Sequence, residues 1–208
     1  MKLIRYGQPG AERPGLLDAT GTLRDLSMLL PDMGPAQLNP RTLSALAAID
    51  ASRLPPVYGT PRLGSPVAGV GKIVCVGLNY ADHAKEMKAA LPTEPLYFLK
   101  PDTALLREGD FYYPKFTSDL HFECELVVRI EKVGKHIAAE FAHKYYTHFT
   151  LGIDFTARDL QQHCKENGLP WERAKGFDHS APLSNTWIPK TEIDLETAEF
   201  KLFQNGNV

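Results

Sequence analysis

The sequence predicts an α+β fold in which strands dominate and a few helices decorate them. Three observations lead there. Short runs of β-branched and aromatic residues recur along the chain, each fit for a strand. The longest, Leu120-His-Phe-Glu-Cys-Glu-Leu-Val-Val-Arg-Ile130, contains no Pro or Gly. Only two stretches stand out as helices, one following Asn79 and one following Thr156.

The elements follow in order. Lys2–Tyr6 and Gly15–Leu17 read as short strands, and Asp18-Ala-Thr-Gly-Thr22 is a turn leading to a strand at Leu23–Leu26. A short helix runs to about Asp50, with Asn39 as its cap and Pro40 at its first position. Pro55 to Pro66 is rich in Pro and Gly and reads as a linker or wrapping segment. Residues 1–70 are therefore expected to form a small N-terminal subdomain and linker, and residues 71–208 the main domain. The main domain opens on Lys72-Ile-Val-Cys-Val-Gly77, a buried-strand pattern. Further strands are expected at Leu96–Leu99, Phe111–Tyr113, Glu125–Glu131, Phe149–Phe155 and Phe200–Gln204, and a short helix at Ala138–Tyr146. The helix after Thr156 ends before Gly168, with Pro170 just beyond.

Bulk properties narrow the function. The 208 residues are 43% hydrophobic and 23% charged, ordinary for a soluble globular chain. A net charge of −2 gives no sequence-independent attraction to nucleic acid. No apolar run reaches membrane-spanning length, and Met1 to Gly10 lacks an apolar signal core. Cys75, Cys124 and Cys164 are widely spaced and fit no zinc pattern. They suggest reduced thiols, hence a cytoplasmic setting, with Cys124 facing a core.

Strand side chains alternate, so Glu123 and Glu125 share one face. Two adjacent carboxylates repel; a cation, a shared proton or a wet edge would each relieve that. A hard divalent cation is the sharpest option, a solvent-facing edge strand the plainest. Asp154 falls at an expected strand-to-helix junction, as a ligand or a group satisfying loose backbone donors. Thr156 and Asp159 are spaced for a capping box there. Arg158 and Gln161, three apart, share a helix face near Asp154. The arginine could hold a carboxylate or form a surface pair. His83 and Glu86 are also three apart, either an imidazole made basic by its carboxylate or an exposed ion pair. Lys175 lies between aromatic residues that could desolvate it and set it against an anion, and Lys100 ends a strand as a turn residue or a second cation for an acidic substrate.

These pieces occur together and in order. Gly-Leu-Asn-Tyr-Ala-Asp-His-Ala-Lys-Glu at 77–86, Phe-Leu-Lys-Pro at 98–101, Glu-Cys-Glu at 123–125, Asp-Phe-Thr-Ala-Arg-Asp-Leu-Gln at 154–161, and Gly-Leu-Pro-Trp with Ala-Lys-Gly-Phe-Asp within 168–178 carry the signal. Residues 72 to 208 thereby resemble the fumarylacetoacetate hydrolase family, nearest its acylpyruvate hydrolase and oxaloacetate decarboxylase branch. The resemblance implies a mixed β-roll binding Mg²⁺ or Mn²⁺ through Glu123, Glu125 and Asp154. It implies a catalytic dyad of His83 and Glu86, an active-site Lys175, and substrate contacts from Arg158 and Gln161. The implied chemistry is hydrolysis of a C–C bond in acylpyruvates, or decarboxylation of oxaloacetate, through an enolate held at the metal. A homodimer acting on a small 2-oxo acid is implied too, with no nucleic-acid or membrane partner. Hydration or isomerisation of unsaturated 2-oxo acids is the nearest alternative. Family members continue past the Asn-Gly found here at 205–206, with more core strands and a Thr-Gly-Thr-Pro segment at the substrate site. The resemblance thus implies that the C-terminal part of the family domain is missing, and a truncated or engineered non-catalytic chain that still binds metal is the other alternative.

Overall fold

The computed structural model describes residues 2–65, 67–80, 92–107, 109–184 and 186–207. Strands β1 (Lys2–Tyr6), β2 (Arg13–Leu17) and β3 (Leu23–Asp25) form an antiparallel meander. Helix α1 (Pro40–Ala47) follows. Asn39 starts it as expected, its side chain accepting from the Thr42 N–H at 3.0 Å, with Pro40 at the first helical position. Leu46 on α1 closes a core with Leu16, Leu26 and Leu30, all buried.

The rest is built from β4 (Ile73–Gly77), β5 (Leu96–Lys100), β6 (Leu105–Leu106), β7 (Leu120–Ile130), β8 (Tyr146–Ala157), β9 (Ala181–Pro182) and β10 (Ile188–Pro189). β4 pairs with β5, β6 runs parallel to β9, and the third sheet has the order β10-β8-β7. Helix α2 (Arg158–Glu166) leaves the end of β8, and the single turn α3 (Glu172–Lys175) follows. Every strand ladder of the described residues lies either within 2–25 or within 73–189. The fold is α+β and β-rich, and no helix among the described residues is long and apolar enough to cross a membrane.

The end of α2 is set by its sequence. Gly168 adopts φ +62°, a region that costs a side chain, and its N–H bonds Lys165 O while that of Leu169 bonds Cys164 O at 2.8 Å. The start of α2 differs from expectation. β8 runs on to Ala157, so Asp154 lies inside the strand rather than at its end. No side chain caps the helix. Thr156 is fully buried and turned to Glu123, and Asp159 binds Thr117 and Ser118 instead.

Other expectations are corrected. Phe111–Tyr113 is not a strand; Phe111 stacks on Phe155 with ring centroids 3.8 Å apart, so a ring contact replaces a ladder. Phe200–Gln204 is not a strand either, and holds only an isolated bridge from Gln204 to Asn207. β4 is present but not buried: Val74 and Val76 are 55% and 38% exposed, as are Tyr97 and Leu99 on β5 at 60% and 46%. Cys124 is half-buried rather than in a core. The segment expected as a helix at 138–146 is a 3₁₀ helix over Ala139–Lys144. The helix expected after Asn79 lies outside the described residues.

Candidate active site

β7 and β8 place the acids. Glu123 pairs directly with Asp154 across the antiparallel ladder, and Glu125 pairs with Gly152. Directly paired residues share a face, with Cβ atoms about 4.5–5.5 Å apart, and residues two along a strand share it as well. All three acids accordingly line one small cavity of about 50 Å³. Gly152 also lets the chain cross: a Cβ there would fall 3.0 Å from Leu183 and 3.2 Å from the carbonyl of Pro182.

The opposing charges come from three other positions. Lys175, at the end of α3, is buried and puts Nζ 2.6 Å from Asp154 Oδ2 and 2.9 Å from Glu123 Oε2. The same ammonium stands 4.7 Å from the centre of the Phe98 ring. Arg158, in the first turn of α2, donates to Glu123 and, at 2.8 Å, to Gln161 Oε1. Lys100, at the end of β5, comes within 2.9 Å of Asp154 Oδ1. Three carboxylates therefore face three cations in a region largely shut off from water. Buried charge is costly unless paired and hydrogen-bonded, which explains why these groups interlock.

The electrostatics are uneven. Burial, then repulsion from Asp154 and Glu123, pushes the Glu125 carboxyl up to about 7, against weaker help from Tyr80 and Lys175. Burial pulls the Lys100 ammonium down, partly offset by Asp154. Burial and then Asp154 raise the Cys75 thiol to about 11, which keeps it protonated and unreactive.

The donor set suits a hard cation in its chemistry. Three carboxylates face one cavity, and Asp154 Oδ1 is buried without a hydrogen bond among the described residues, since Lys100 meets it at ion-pair distance but not in hydrogen-bond geometry. As they stand, the described acids are not gathered into a cluster of three or more ready to hold an ion. The Lys175 ammonium occupies the place between Glu123 and Asp154.

Most of the residues singled out from the sequence meet here: Glu123, Glu125, Asp154, Arg158, Gln161 and Lys175 all line the cavity. Lys100 does not; it sits behind Asp154, 3% exposed, so the expectation that it contacts substrate is corrected. His83 and Glu86 lie outside the described residues. The sequence reading missed Tyr80 and Trp171, which also line the cavity. Tyr80 accepts the Leu126 N–H at 3.2 Å, and its place beside the 79–86 motif was the available signal.

Comparison with known proteins follows the same outline. The family model described as fumarylacetoacetate (FAA) hydrolase C-terminal matches residues 72–208. A protein of Burkholderia cenocepacia named as a hydrolase is 38% identical over the whole chain, which spans 75% of that relative. The crystal structure of fumarylpyruvate hydrolase from Pseudomonas aeruginosa, in complex with Mn²⁺ and pyruvate, is 36% identical with a TM-score of 0.56, the match covering 65% of this chain and 59% of that one. Fumarylacetoacetate hydrolase from Exiguobacterium antarcticum is 26% identical with a TM-score of 0.64, covering 93% of this chain and 68% of that one. Motif order, a strand pair bearing three acids, and these matches agree: the chain belongs to the fumarylacetoacetate hydrolase family.

Proposed function

We propose that the chain is a Mg²⁺- or Mn²⁺-dependent enzyme of small 2-oxo acids, hydrolysing a C–C bond in acylpyruvates or decarboxylating oxaloacetate. The observation that carries this reading is the meeting of Glu123, Glu125 and Asp154 with Lys175, Arg158 and Gln161 around one cavity. The Mn²⁺ and pyruvate named with the Pseudomonas aeruginosa structure support the ion and the ligand class.

Glu123, Glu125 and Asp154 would hold the cation. When bound, it supplies a Lewis acid for the carboxylate and 2-oxo oxygens of the substrate. Lys175 gives up its place between Glu123 and Asp154 and turns its ammonium to negative charge developing on the substrate. Arg158, steadied by Gln161, offers a planar fork that a carboxylate can accept in bidentate fashion. Trp171 and Phe98 shield the cavity from water, which strengthens each of these interactions. His83, oriented by Glu86, takes the proton of the attacking water in hydrolysis; decarboxylation needs no such water. The charges of the described site balance at three positive and three negative, so a divalent cation calls for a ligand that brings negative charge with it. We further propose a homodimer in the cytoplasm, with residues 1–70 as a small leading subdomain.

The test is turnover of acetylpyruvate and oxaloacetate with and without Mg²⁺ or Mn²⁺. Activity that needs the ion and falls more than about 100-fold in Glu123→Ala is expected, since even groups behind metal ligands cost 10–100-fold. Turnover that survives both chelation and Glu123→Ala would end the reading.

A further inference from the structure

We propose that Lys100 is a positioning residue: a buried strut that fixes Asp154 and the Lys175 turn from behind the cavity and never touches the substrate. The inference rests on the function proposed above for its site, but its evidence is geometric. Five oxygens surround Lys100 Nζ. They are the carbonyls of Phe155 and Ser180, each at 3.1 Å, Ser180 Oγ at 3.0 Å, the hydrogen-bonded carbonyl of Lys175, and Asp154 Oδ1 at 2.9 Å. An ammonium has three protons, so all are committed within the protein and none is left for a ligand.

The oxygens come from separate parts of the chain. Asp154 and Phe155 belong to β8, Lys175 ends α3, and Ser180 precedes β9. One side chain from β5 thus ties together the strand that carries an acid and the turn that carries the opposing lysine. Ser180, also fully buried, completes the knot by donating to Lys175 O at 2.9 Å, while its own carbonyl accepts from the Phe155 N–H at 3.0 Å. Space-filling alone does not call for an ammonium here, because burying one is expensive where an apolar chain would serve. Its charge does what an apolar chain could not: it stands against Asp154 Oδ1, the carboxylate oxygen that has no hydrogen bond among the described residues. Partners behind a ligand orient it and set its basicity.

Two variants test this, Lys100→Met, which keeps the length and removes the charge and donors, and Ser180→Ala, which removes one partner. Each is assayed for Mn²⁺ affinity by calorimetry, for kcat and KM at saturating Mn²⁺, and by crystal structure. Lys100→Met should weaken Mn²⁺ binding by about 10–100-fold and lower kcat, with KM changed by less than about 3-fold. Ser180→Ala should move the same quantities the same way by about 3-fold or more. A raised KM with Mn²⁺ affinity intact would make Lys100 a substrate contact and overturn the proposal. A folded Lys100→Met with Mn²⁺ affinity and kcat intact overturns it too, leaving only a packing role. If Lys100→Met does not fold, Ser180→Ala decides by the same quantities. If the unaltered chain binds no Mn²⁺, the proposed function fails separately. The crystal structures then judge the strut: Asp154 and the 175–180 turn displaced supports it, and both unmoved overturns it.

Discussion

The two ends of this chain spend their side chains in opposite ways. In the N-terminal meander the interior is aliphatic, with Leu16, Leu26, Leu30, Leu46 and Met33 buried. Its charges pair mainly towards the periphery, as in Arg24 with Asp18 and Arg62 with Glu12. Around β7 and β8 the pattern is reversed. Lys100, Lys175, Asp154, Thr156, Gln161 and Ser180 are buried, while Phe122, Val128 and Ile130 on β7 are exposed. The first arrangement gains stability from area removed from water. The second holds costly charge in place, as a site that must bind ions and acids does. Stability and chemistry are thus lodged in different residues, and substitutions should separate them.

The largest separation is expected from Leu26→Ala. A fully buried leucine lost from a packed core costs about 2–5 kcal/mol. Urea unfolding followed by circular dichroism should show that loss, while Mn²⁺ affinity of the folded protein stays the same. A Mn²⁺ affinity that drops with it would mean the two regions are not separable.

Glu125→Gln should act in the opposite sense. The carboxylate is disfavoured by burial and by two like charges, so a neutral isostere relieves the metal-free protein. Its Tm at pH 8 should rise by up to about 2–4 °C, the shift 1 kcal/mol makes in a chain of this size. Turnover should disappear. A lower Tm would show that Glu125 is held by partners stronger than its repulsions.

The smallest effect concerns acid. Burial raises the Asp32 carboxyl, but hydrogen bonds from Arg5 and the Met33 N–H outweigh it and hold the group below its ordinary value. A lowered carboxyl favours the folded state above its unfolded pKa, and that contribution fades as pH falls through the folded value. Asp32→Asn should therefore destabilise the chain near pH 7 by at most about 1 kcal/mol, the pair being partly exposed, and by progressively less below about pH 4. A gap between variant and parent that widens in acid would reverse the sign of this argument.

The legibility of the sequence followed the same divide. Period-two alternation was enough to put Glu123 and Glu125 on one face, because β7 is long and uninterrupted. Local rules also gave Asn39 as a cap and Gly168 as a stop. They failed where a distant partner claimed a residue. Thr156 fits a cap by spacing, yet Glu123 draws its hydroxyl inward and β8 extends past it. Phe111 suits a strand, yet stacks on Phe155. Lys100 looked like a turn residue because nothing adjacent to it reveals the carbonyls gathered from β8, α3 and the turn before β9. The roles of Lys175 and Asp154 rested on family resemblance, since each taken alone had an ordinary structural explanation.

The central claim is that Glu123, Glu125 and Asp154 share one divalent cation. Crystals grown with Mn²⁺ and read by anomalous scattering test it most directly. The account predicts one strong peak per chain within about 2.0–2.6 Å of oxygens from all three acids, with Lys175 Nζ moved out of the gap it now fills between Glu123 and Asp154. A peak elsewhere, or none while that ammonium still bridges the two acids at saturating Mn²⁺, would contradict it.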